Sequence, residues 1–214
     1  MVKDRILVIG TADPAPWHPL SAVEGELNLL LADLGEWEAT VDPDRLTALE
    51  KDSVRLLVCY ADLWEGALTD AQTAGLIRFV AGGGRILVLH NGISYQGRSE
   101  FRAVVGAQFT GHPPATSLSF RSCRPEHPVC RGLPSEWTMD EEPYRFQFHG
   151  ADTTVIYEYQ HEGVWYPAAW TAGFGQGTMV YLMPGHTVAS FRHPSYRELV
   201  CSAARWLLES EGNS

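Results

Sequence analysis

The sequence predicts an α/β protein: a doubly wound, mostly parallel sheet with an antiparallel extension contributed by the second half. Three observations point there. Apolar runs of strand length alternate with helix-period stripes through the first half. Prolines and short alternating runs then replace long helices across residues 111–150. A last apolar run and a last amphipathic stripe close the chain. Right-handed crossovers between parallel strands would place helices on both faces. A chain of 214 residues fits one domain, 1–214.

The first strand is RILVIG at 5–10, followed by the loop TADPAPWHP, which holds His18. Ser21 and Glu24 have capping-box spacing, and Leu20, Val23, Leu27, Leu30, Leu31 and Leu34 form the stripe of the first helix. A shorter strand is expected at 37–41 and a buried one at 54–60 (VRLLVCY). Thr69 and Gln72 open a helix that runs to Ala81 and ends at Gly82. The buried run 85–89 stops at His90, Asn91 and Gly92, and a helix is expected near 99–105, so the first half reads βαβαβαβα. Strands at 153–160 and 164–170 flank the turn residues His161, Glu162 and Gly163. The last strand, 178–183, ends in PGH, and Ser195 with Glu198 is expected to cap a final helix.

A net charge of −10 repels nucleic acid and anionic lipid, which leaves neutral molecules and metal cations as partners. The N-terminal apolar run is too short for a signal peptide and no segment reaches membrane-spanning length, so a soluble cytoplasmic protein is expected. Cys59, Cys123, Cys130 and Cys201 lack paired CxxC spacing and read as reduced thiols. Gly82 to Gly84 precede a strand instead of following one, and GTAD at Gly10 has no second glycine, so no nucleotide cofactor is expected.

His18, His90 and His186 share one description: each follows a strand that should be parallel to the others. Ligands collect at the carboxyl ends of such strands. Three neutral imidazoles converging there would bind a divalent metal such as zinc, with a coordination position left for water or substrate. The alternative is three separate hydrogen bonds to loop backbone or ligand. The acidic run Asp140, Glu141, Glu142 could supply a general base or a further metal ligand. Tyr144, Trp165, Tyr166 and Trp170 offer aromatic faces of the kind that suit sugar rings. Ser94 with His193 as base is a competing hydrolase dyad, weakened by Gln96 where a nucleophile elbow needs its second glycine.

Several segments, in order, resemble the ThuA-like (trehalose utilisation) family: ILVLHNG at 86–92, HPVCRGLPSEWTMDEEPY at 127–144, PAAWTAGFGQGTMVYLMPGH at 167–186 and RHPSYRELVCSAARWL at 192–207. The resemblance implies a class I glutamine amidotransferase-like, flavodoxin-like fold and a role in carbohydrate metabolism. It matches His90, Glu142, Tyr144 and His186 to recurring polar positions. With it, the candidate catalytic set is His90, Glu142 and His186, the substrate-binding set Asn91, Tyr144 and His193, and the metal set His18, His90 and His186. The ligand expected is a small sugar or oxidised sugar derivative; the alternative is a non-catalytic sugar-binding or accessory protein. Amidotransferases carry a cysteine on the turn after the strand that ends here at His90, and this chain has none, so Cys-dependent glutamine hydrolysis is not expected. Whether copies of the chain associate is left open.

Overall fold

The computed structural model describes residues 5–50, 53–150 and 152–210. The strands are β1 (Arg5–Gly10), β2 (Glu36–Thr40), β3 (Leu56–Tyr60), β4 (Arg85–Leu89), β5 (Ala107–Gly111), β6 (Thr116–Ser122), β7 (Glu136–Glu141), β8 (Arg145–Phe148), β9 (Thr153–His161), β10 (Val164–Phe174) and β11 (Gly177–Leu182). The helices are α1 (Leu20–Leu31), α2 (Asp70–Ala81), α3 (Ser99–Val105), α4 (Val188–Arg192) and α5 (Pro194–Glu209).

Nine strands form one sheet in the order β2-β1-β3-β4-β11-β10-β9-β6-β7. The first five are parallel to their neighbours, and β10, β9, β6 and β7 add on antiparallel, which is the expected architecture. β3, β4 and β11 are buried along nearly their whole length, as parallel strands covered on both faces must be. β7 instead alternates exposed and buried residues. The chain passes from β1 outward to β2 and then returns to β3 on the other side of β1. Helices of right-handed crossovers therefore fall on opposite faces: α1 packs with α4 and α5, and α2 with α3.

The expected stripe of α1 is buried at Leu20, Val23, Leu27, Leu30 and Leu31. Its capping box is not formed. Pro19 is the N-cap, Leu20 N–H donates to Thr11 O, and Ser21 Oγ donates to Asp13 Oδ2 instead. A tertiary backbone bond thus satisfies a donor that the side chain was expected to serve. In α5, His193 is the N-cap and Pro194 occupies the first turn, so Ser195 lies inside the helix and does not cap it. The capping box of α2, Thr69 with Gln72, forms as the sequence indicates. Between β2 and β3 the chain makes a 3-10 stretch, Pro43–Ala48, where the βα alternation called for a full helix.

Candidate functional site

Four parallel strands point their carboxyl ends at one place. His18 follows β1, Asp62 follows β3, His90 follows β4 and His186 follows β11. The positions flank β1 and β3, where the chain reverses its direction of travel across the sheet and side chains beyond the strand ends can meet. Glu142 arrives from the end of β7. The ring centroids of His18 and His90 are 4.9 Å apart, those of His18 and His186 5.2 Å, and those of His90 and His186 5.7 Å. One ligand atom from each of His18, His90, Glu142 and His186 lies within 4.8 Å of all the others.

The local chain is built to hold these groups. His90 has φ 42, a left-handed conformation that is strained for a residue with a Cβ. It is fixed there by Tyr181 Oη, which donates to His90 O (3.1 Å), and by His90 Nδ1, which donates to Met183 O (2.7 Å). Gly92 follows because any Cβ there would lie 2.2 Å from Cys59 O. Glu141, almost fully buried, accepts from the backbone N–H groups of Gly185 (2.8 Å) and His186 (3.3 Å) and from Ser190 Oγ (2.7 Å) through Oε2. Its Oε1 accepts from Glu142 N–H (2.9 Å). One carboxylate therefore ties the turn that carries His186 to the strand end that carries Glu142.

A carbonyl only accepts, so the proton of a neutral His90 sits on Nδ1 and its Nε2 offers a lone pair. That nitrogen lies 3.3 Å from Glu142 Oε2, and both atoms are buried without a hydrogen-bond partner. His18 Nε2 lies 3.0 Å from His186 Nδ1, which in turn lies 3.1 Å from Glu142 Oε2. Burial, then the neighbouring His90 and His186 rings, pushes His18 down to about 3, so it is neutral. This is the protonation state expected of a metal-binding imidazole, and burial is its main cause. Burial raises the Glu142 carboxyl, yet the adjoining His186 and His90 rings outweigh this and hold it well below the usual carboxylate range. The hydrogen bond to Glu142, opposed by burial, raises His186.

Above the cluster opens a cavity of about 460 Å³ lined by Trp17, Trp64, Phe109, His112, Tyr144, His18, Glu142 and His186. Trp17 stands 70 % exposed. The Tyr144 ring is tilted over His90 at 4.4 Å and stacked with His112 at 5.1 Å. Of the four aromatics singled out in the sequence, Tyr144 alone lines this cavity. Trp170 is fully buried and donates to Val105 O, Tyr166 stacks on Tyr159, and Trp165 lies under Arg121. Asn91 is fully buried with both side-chain polar atoms unpartnered, and it is not among the lining residues.

His193 lies against Trp137, ring centroids 5.3 Å apart, and does not line the cavity. Ser94 Oγ donates to Ala61 O and accepts from Leu63 N–H, both at 2.8 Å. Among the described residues, no hydrogen bond joins Ser94 to His193. The four cysteines are free, and burial raises every thiol, Cys130 to about 11, so none is an activated thiolate. Asp62, Glu141, His112, Trp17, Trp64 and Phe109 were not singled out for the roles they hold. Asp62 alone carried a usable signal, its place just after a buried strand.

The parallel order β2-β1-β3-β4-β11, with helices on both faces and a histidine–carboxylate cluster at the strand ends, defines a doubly wound, flavodoxin-like α/β protein. The family model described as trehalose utilisation, ThuA, matches residues 21–207. The chain belongs to the ThuA family. Among solved structures it is similar to a ThuA-like protein from Parabacteroides merdae ATCC 43184, with TM-score 0.82 and 15% identity over 100% of this chain and 92% of that one. A ThuA-like protein from Bacteroides uniformis ATCC 8492 gives TM-score 0.77 and 17% identity, with 95% and 91% covered. A β-galactosidase from Rahnella sp. R3 gives TM-score 0.68 and 13% identity over 95% of this chain and 31% of that one. At these identities the likeness is one of fold. No curated protein matches the sequence. Among the described residues, no helix is long and apolar enough to cross a membrane.

Proposed function

We propose that His18, His90, His186 and Glu142 hold a divalent metal ion, zinc being the expected one, and that the cavity above them takes a neutral sugar or oxidised sugar derivative. The observation that carries the metal is the pair His90 Nε2 and Glu142 Oε2, two buried acceptors facing one another at 3.3 Å. Such a pair needs a cation or an added proton between its members. Three imidazoles and a carboxylate are a common donor set for zinc. A bound ion would supply Lewis-acid polarisation of a ligand carbonyl or hydroxyl oxygen.

The chain's own residues do the rest. Trp17, Trp64, Phe109 and Tyr144 supply aromatic faces for a ring and exclude water, and Glu142, ionised, can accept a hydrogen bond from a ligand hydroxyl. Among the described residues, no Lys or Arg lines the cavity, which favours an uncharged ligand over a phosphorylated one. The family's description, trehalose utilisation, supports the carbohydrate assignment. Free thiols support a cytoplasmic location.

The test is metal content after purification without chelators, followed by Zn²⁺ titration of the stripped protein. About one ion per chain, lost in His186→Ala, is the expected result; His186 is a third exposed, so its removal leaves the core intact. A chain that neither carries an ion nor binds Zn²⁺ at micromolar concentration overturns the metal reading. A second reading is sugar binding without turnover, since the fold by itself does not imply catalysis. Turnover assays on the metal-loaded protein separate the two.

A further inference from the structure

We infer that Asp62 is a positioning residue of the cluster: it aims the His18 ring and keeps the His18 proton on Nδ1, which leaves Nε2 free to ligate. This rests on the metal reading above. The Asp62 side chain is 0% exposed and stands two residues beyond β3. Its Oδ2 accepts from the backbone N–H groups of Trp17 and His18, both at 2.9 Å, and lies 3.7 Å from His18 Nδ1. Asp62 Oδ1 and His18 Nδ1 are both buried without a hydrogen-bond partner, and the Asp62 carboxylate is the acceptor group that stands beside that ring nitrogen. Thr11 fixes the Asp62 backbone from the opposite side: its Oγ1 accepts from Asp62 N–H (2.7 Å) and donates to Asp62 O (3.3 Å).

The His18 ring thus has one nitrogen toward a carboxylate and the other toward the cluster, 3.0 Å from His186 Nδ1. A carboxylate is acceptor-only, so the nitrogen it faces is the one that carries the proton. Orientation and tautomer of a ligating imidazole are set in this way by the group behind it. His90 is set by the same logic, with Met183 O in place of the carboxylate.

The experiment is Asp62→Asn. Asparagine keeps an oxygen for the two backbone N–H groups but removes the carboxylate charge and turns one acceptor oxygen into an N–H donor, so the ring proton is no longer held on Nδ1 and the metal-facing lone pair on Nε2 is no longer secured. Zn²⁺ affinity, read by competition with a chromophoric chelator, should fall about 10- to 100-fold. The visible absorption of the Co²⁺-loaded protein should change in band position or intensity. Zn²⁺ affinity within threefold of wild type, together with an unchanged Co²⁺ spectrum, overturns the inference while the metal reading stands. A second measurement needs no variant: long-range ¹⁵N–¹H correlation on stripped wild-type protein should show the His18 proton on Nδ1. A proton on Nε2 overturns the inference even if Asp62→Asn fails to fold. If wild type binds neither metal, the reading of the cluster as a metal site fails, and the tautomer alone decides whether Asp62 positions His18.

Discussion

His90 pays for its place with backbone strain. A non-glycine residue in the left-handed region costs on the order of 1–3 kcal/mol, and the bonds to Met183 O and from Tyr181 Oη hold it at φ 42. Gly185 is its neighbour in this arrangement: it has φ 138, and a Cβ there would lie 3.0 Å from His90 Cβ. Gly185→Ala should therefore lower stability by about 1–3 kcal/mol and weaken Zn²⁺ binding with it, checked by denaturant unfolding and titration. Ser94→Ala should behave differently. It leaves Leu63 N–H without its acceptor, a loss of about 1–3 kcal/mol, while Zn²⁺ and ligand affinities stay within error. The three histidines were legible in the sequence because each ends or follows an apolar run, a local signal. Full burial of His90 was not legible. Glu141 and Asp62 were hidden in their roles because both act on backbone N–H groups far away in sequence.

At the scale of elements, α1 is tied to the end of the chain by Glu26. Its carboxylate accepts from Arg192 Nε (2.7 Å) at the end of α4 and from Arg197 Nη1 (2.9 Å) in α5. The hydrogen bond from Arg192 leads in holding the Glu26 carboxyl below its ordinary value. A carboxyl with a lower folded than unfolded pKa stabilises the fold above the unfolded value and loses that contribution as pH falls through the folded one. Glu26→Gln should thus lower Tm at neutral pH, and the gap from wild type should close as the solution is acidified below the carboxylate range. Element positions were legible wherever burial is two-sided, as in β3 and β4. The starts of α1 and α5 were misread because a serine three residues before a glutamate is only a local pattern. Pro194 in the first turn of α5, and the Thr11 carbonyl at α1, settled those ends instead.

For the molecule as a whole, charge and lining agree. With net charge −10 and, among the described residues, no Lys or Arg on the cavity wall, a neutral sugar should bind more tightly than its phosphate ester. Calorimetric titration of the metal-stripped protein with matched pairs checks this, since an ion in the site would itself attract phosphate. Trp17→Ala should weaken the neutral ligand by about 1–2 kcal/mol, the scale of a stacked aromatic contact, with Tm unchanged because the side chain is 70 % exposed. The fold class was legible from the alternation of runs. The curl of the antiparallel extension, which returns the end of β7 to the turn after β11, was not, because nothing in β7 names its partner.

The hydrogen bond between His18 and His186 joins residues 168 positions apart. On a ribosome, a contact of that span cannot exist until His186 itself has emerged, and synthesis proceeds at only about 5–20 residues per second. The nascent chain therefore spends seconds with its histidines separated, each a weak lone ligand. Capture of the proposed ion would come after the sheet has closed. A version released short of His186 would be expected to leave the ribosome without the cluster assembled.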